Sequence, residues 1–107
     1  MDFESIKNKI KEVRMNLVRI DGDANFEAVV LQGQMGGLTA CLEGLFGKPE
    51  YPSKNQLSAQ IKKAIDPFGG IMPGQTLYYR SQDQQTIFAM LWPWNNGQST
   101  TLKLARV

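Results

Sequence analysis

Apolar residues recur along this chain with two different periods. Phe3, Ile6, Ile10 and Val13 follow one another at three- and four-residue steps, the spacing of one face of a helix. Asp2 stands where an N-cap belongs. Lys7, Lys11 and Arg14 stripe the opposite side. Asp2, Glu4 and Glu12 cancel most of that charge, so the stripe reads as a solvated outer face, not a lipid- or nucleic-acid-binding one.

Two short apolar runs follow, Leu17–Ile20 and Phe26–Leu31, around Asp21-Gly22-Asp23-Ala24-Asn25. Asp-Gly between apolar runs predicts a β-hairpin. The rival reading caps a helix with Asp23 and runs Phe26, Val29 and Val30 along one face. Adjacent Val29-Val30 prefers strand, and Gly33, Gly36 and Gly37 would break such a helix early.

A helix is expected from Met35 or Leu38 to Phe46. Leu38, Cys41, Leu42 and Leu45 mark one face, Gly47 closes it and Pro49 forbids continuation. Glu43 is its only charge, which predicts cover on more than one side. Gly37, Ala40 and Gly44 make a second, small-residue face. Close approach by another backbone, from the same chain or a second subunit, would offset the cost of helical glycine.

Ser53 and Gln56 then have capping-box spacing. Leu57, Ile61, Ala64 and Ile65 give a third helix its buried stripe, and Lys62 and Lys63 suit its last turn. Asp66-Pro67 ends it. Phe68-Gly69-Gly70 and Pro73-Gly74 form a connector.

From Gln75 the period becomes two. Leu77 and Tyr79 alternate with Thr76, Tyr78 and Arg80, and Ser81–Gln84 form a polar turn. Thr86–Trp92 is apolar almost throughout, as in an interior strand covered on much of both faces. Pro93 ends it, and Asn95-Asn96-Gly97 supplies a tight turn. In the last strand Leu102 and Leu104 face the core, with Thr101 and Lys103 opposite.

The elements therefore run α-β-β-α-α-β-β-β. The expected fold is α+β: one antiparallel sheet of about five strands, a hairpin plus a C-terminal three-stranded meander, with three helices on one face. A single domain spans residues 1–107, a length that suits one core.

Composition narrows the chemistry. The chain has no histidine and a single cysteine, Cys41. Serine or cysteine catalysis through an imidazole base is thereby removed, as are nearly all zinc sites. Cys41 sits among Leu38, Ala40, Leu42 and Leu45 and reads as a structural thiol. The net charge of +2 creates no bulk field toward nucleic acid or membrane. No apolar run approaches the ~18–20 residues of a membrane span. Asp2 and Glu4 stand where a signal peptide would be basic and then apolar, so a cytoplasmic location is expected.

Three constellations were candidates. Trp92, Trp94, Tyr78 and Arg80, with Lys103 and Arg106 near them, bring aromatics and cations to the meander. Such groups anchor protein partners or stack single-stranded bases. Tyr78 and Tyr79 must point to opposite faces, so they cannot form one platform. Trp94, past Pro93, is the ring expected to lie free of the core. Gly33, Gly36, Gly37 and Thr39 could cradle an anion before a helix. The P-loop lysine is missing, its position being Leu38, so a tight connection is the better reading. Asp21 and Asp23 flank Gly22, without the further oxygen ligands of a calcium loop.

These readings assign no catalytic residue, cofactor or metal. They predict a small non-enzymatic, regulatory or adaptor-type domain that binds a protein partner or itself. Single-stranded nucleic-acid binding through the sheet aromatics is the alternative. An enzyme with a shifted carboxylate or lysine is the third reading.

Overall fold

The computed structural model describes residues 2–52, 57–82 and 85–107. Helix α1 spans Phe3–Ile10, and the Asp2 carboxylate accepts from the Ser5 N–H at 2.8 Å. Strands β1 (Leu17–Asp21) and β2 (Asn25–Leu31) form the expected hairpin, closed by Gly22 N–H to Asn25 O at 2.8 Å. A single 3₁₀ turn, Gln32–Gln34, leads directly into α2, Met35–Phe46. Helix α3 covers Ala59–Ile65 and a second 3₁₀ turn covers Asp66–Phe68. Strands β3 (Thr76–Gln82), β4 (Gln85–Pro93) and β5 (Ser99–Arg106) are the meander.

One five-stranded antiparallel sheet results, in the order β1-β2-β5-β4-β3. The hairpin joins the meander through β2 and β5, with Phe26 opposite Leu104 and Ala28 opposite Leu102. Strand β4 is interior, as its composition predicted, and Ile87 through Leu91 are all buried.

The helices do not share one face, contrary to expectation. Phe26, Ala28 and Val30 of β2, Leu102 and Leu104 of β5, and Ile87, Ala89 and Leu91 of β4 pack under Phe3, Ile6 and Ile10 of α1 and Leu38 and Leu42 of α2. The alternate positions Leu77, Phe88, Met90 and Ala105 form a second cluster with Ile61 and Ile65 of α3 and Phe68. The physical reason lies in β4. A strand apolar at every inner position needs cover on both sides, and α3 with its connector supplies the second layer.

One helix boundary and one strand boundary also change. Ser58 is the cap of α3, its hydroxyl accepting from the Ile61 N–H at 3.2 Å, so Leu57 precedes the helix. The Ser53–Gln56 box lies outside the described residues, as do Asp83 and Gln84 of the expected polar turn. Ser81 and Gln82 belong to β3. Helix α2 is covered on one side only: Gly36, Gly37, Ala40, Glu43 and Gly44 are exposed. A Cβ placed at Gly36, Gly37 or Gly44 would meet no atom within 4 Å outside its own helix, so among the described residues no other backbone approaches that face. Glycine is required instead at Gly69. Its φ is +104°, and a Cβ there would lie 3.0 Å from the Trp92 ring.

Lys7 departs most from the solvated basic face. It is 5 % exposed and holds α1 to the hairpin. Its ammonium contacts Asp21 at 2.9 Å and Glu4 at 3.3 Å, and donates to Gly22 O at 3.1 Å. Lys11 reaches the other Asp21 oxygen at 2.7 Å. These lysines hold the Asp21 carboxyl below its ordinary range, Lys11 contributing most. The Asp21 hydrogen bond chiefly raises the Lys7 ammonium. Among the described residues no helix is long and apolar enough to cross a membrane.

Candidate interaction surface

The α3 layer packs on β3, β4 and Ala105 of β5, and among the described residues no helix covers β1 and β2 on that face. Strand alternation places Leu17 and Ile20 of β1, Glu27 of β2, and Thr101 and Lys103 of β5 on this open side. Arg19 is the extra residue of a bulge between Val18 and Ile20. A bulge re-aims a side chain, and Arg19 is turned toward Glu27, its guanidinium 3.8 Å from Oε2.

Pro93 ends β4, and Trp94 folds back over the sheet. Its backbone N–H donates to Ser99 O at 2.8 Å, and its Nε1–H donates to Thr101 Oγ1 at 2.8 Å. The Arg19 guanidinium lies 5.8 Å from the Trp94 ring centroid. Lys103 sits directly opposite Glu27 in the β2–β5 register, with its ammonium 3.5 Å from Oε1. That ammonium is also 4.3 Å from the Trp92 ring centroid. One carboxylate therefore holds two cations, and each cation lies on a tryptophan.

The two rings differ. Trp92 is half-buried beside Gly69, and its Nε1–H is buried with no acceptor among the described residues. Trp94 is 39 % exposed, the tryptophan with the freer surface. Leu17, Ile20 and Leu31 are exposed around this cluster. The ion pairs are long and partly solvated, so they position side chains more than they stabilise the fold. Exposed tryptophan and arginine with an apolar rim have the composition of a protein-binding hot spot.

Of the residues singled out from sequence, Trp92, Trp94 and Lys103 come together here. Tyr78 and Arg80 lie on the opposite side of the sheet. Tyr78 is buried 6.1 Å from the Phe46 ring, and burial pushes its hydroxyl pKa up. Arg80 donates to Leu45 O at 3.3 Å, tying β3 to the end of α2. Arg106 donates to Asp23 O at the hairpin turn. Arg19 and Glu27 were missed. Alternation already puts Glu27 opposite Phe26 and Ala28, but its two partners depend on the bulge and on the β2–β5 register.

The glycine segment forms no separate loop, since Gly33 lies in the 3₁₀ turn and Gly36 and Gly37 in the first turn of α2. The Thr39 hydroxyl donates back to Met35 O at 2.9 Å within its own helix. Gly33 and Gln34 instead line a cleft of about 420 Å³ with Arg14, Met15, Asn16 and Leu31. Asp21 is engaged by Lys7 and Lys11, and no cluster of three or more metal-binding side chains occurs among the described residues. Cys41 is half-buried, its thiol donating to Lys9 O at 3.7 Å, and burial raises its pKa.

No family model, curated protein or solved structure matches this chain. The fold and surface define a small α+β domain with one closed sheet face and one half-open face.

Proposed function

We propose that this chain is a non-enzymatic protein-interaction domain whose docking surface is the open half-face of the sheet. The observation that carries this reading is the grouping of Trp94 and Arg19 with exposed Leu17, Ile20 and Leu31 on the part of the sheet that no helix covers among the described residues. A soluble domain rarely leaves such residues contiguous without use. Glu27 offsets one of the two cations Arg19 and Lys103, and the single net positive charge that remains is too little to hold a phosphate backbone and suits a protein partner better. Base stacking would also need free ring faces. Lys103 and Gly69 already lie against Trp92, and Arg19 lies over Trp94. Cys41 is the single cysteine and can form no internal disulfide, which suits a reducing compartment such as the cytoplasm.

Affinity capture from extract of the source cell, with wild-type and Trp94→Ala protein side by side, tests the reading. A partner retained by wild type and lost with Trp94→Ala is expected. Identical capture by both proteins would overturn the assignment of this face. Salt-sensitive quenching of Trp94 fluorescence by an oligonucleotide would favour the nucleic-acid alternative.

A further inference from the structure

The two edges of the sheet are finished differently. Beside β3, Tyr51 forms a short antiparallel bridge with Leu77. Leu77 N–H donates to Tyr51 O at 3.0 Å, and Glu50 N–H donates to Leu77 O at 2.8 Å. Beside β1, the only strand paired with it among the described residues is β2. All five residues of β1 are exposed, Leu17 at 51 %, Val18 at 44 % and Ile20 at 43 %. Val18 lies opposite Ala28, on the α1–α2 side, whereas Leu17 and Ile20 lie on the open side. A partner laid on one face would leave the other side of this apolar strand wet. A strand added at the edge would neighbour both.

The ends of β1 carry opposite free charges. Arg14 precedes it and Asp23 follows it, and neither side chain has an ion-pair partner among the described residues. We infer that the β1 edge takes a second copy of this chain, β1 against β1 antiparallel about a two-fold axis, joining two sheets into one. This rests on the reading of the chain as an interaction domain. In the antiparallel pair the Arg14 end of one strand lies beside the Asp23 end of the other, and symmetry makes that contact twice. Each Arg19, near the axis, is turned to its own Glu27 and Trp94 and away from its counterpart. Growth at the other edge is opposed at Leu77, where Tyr51 already bridges β3. The bulge shortens the regular pairing, and three apolar side chains are little beside the ~800 Å² per partner of a standard interface. The dimer is therefore weak, with a dissociation constant in the micromolar range.

Sedimentation velocity of the full chain, from low micromolar to submillimolar, tests this. Wild type is expected to move from the 12.0 kDa monomer to twice that mass. Leu17→Lys weakens the dimer about tenfold. Arg14→Asp and Asp23→Arg each weaken it roughly fivefold, and the two together restore it. All three positions are exposed, and circular dichroism checks that the variants fold. A wild type that stays monomeric throughout overturns the inference, as does association indifferent to Leu17→Lys and to the charge swap. A monomeric wild type that still captures a partner through Trp94 would remove the β1 dimer and leave the interaction reading standing.

Discussion

The two faces of the sheet are built from the same strands yet finished in different ways. Under α1 and α2 the face is closed, from Phe26 and Val30 across to Ile87 and Leu91. On the other side a short helix and a 3₁₀ turn pack on β3, β4 and Ala105 of β5. Where helices stop, the sheet changes chemistry, and Glu27, Arg19 and Lys103 with two tryptophans replace the aliphatic core. The closed face holds the larger apolar core, and the half-open face holds the polar cluster on which the proposed recognition rests. Alternation makes the division possible, because each strand can present apolar residues to one side and polar ones to the other.

Substitutions can break this comparison or sharpen it. The largest effect is expected in the closed face: Phe26→Ala should cost about 3–5 kcal/mol in urea unfolding, a large part of the stability of such a domain. Phe68→Ala, which removes the edge-on contact with Phe88 at 5.2 Å, should cost about 2 kcal/mol because its site is only partly buried. Equal losses at the two sites would show that the faces are not different in kind. Amide hydrogen exchange adds a second measure, with α3 expected to open locally while β2 and β5 exchange only through global unfolding.

Smaller effects belong to the exposed surface. Gly44→Ala in α2 should stabilise the protein by roughly 1 kcal/mol, since its site is open space and alanine is the better helix former. A destabilisation there would mean that something packs against this face. Trp94→Phe removes the hydrogen bond to Thr101 and should cost about 0.5–1 kcal/mol. Finally, Asp21 has a folded pKa below its ordinary 3.8, so its contribution is complete above that value and lost as pH falls through the depressed value. Lys7, raised above 10.5, contributes fully below that value and loses its contribution as pH rises through the higher folded one. Lys11→Met should make the acid side of the stability profile shallower, because Lys11 is the main cause of the Asp21 shift. An unchanged acid limb would count against that ion pair.

Much of the fold was legible because its signals are local. Asp2, the Asp-Gly turn, Gly47, Pro67 and Asn96-Gly97 mark boundaries through backbone chemistry that neighbours scarcely alter. The candidate site was half legible. Trp92, Trp94 and Lys103 were named from their place in the meander, and Trp94 was expected to be the freer ring. Tyr78 and Arg80 share the same strand region, and the pleat sends them to the far face. Lys7 looked solvent-facing because helical periodicity assigns a side without saying what lies there. The hairpin turn lies there, and Asp21 with Gly22 O makes its burial tolerable.

By itself, the sequence determined the type and order of the elements and the doubly buried character of β4. Each depends on residues close together in the chain. Only the tertiary structure decided that β2 lies against β5, that helices occupy both faces, and that Glu27 holds Arg19 and Lys103 over two tryptophans. Those facts depend on contacts between distant segments. Their register comes from filling the closed face, and the polar pairings on the open face follow from it.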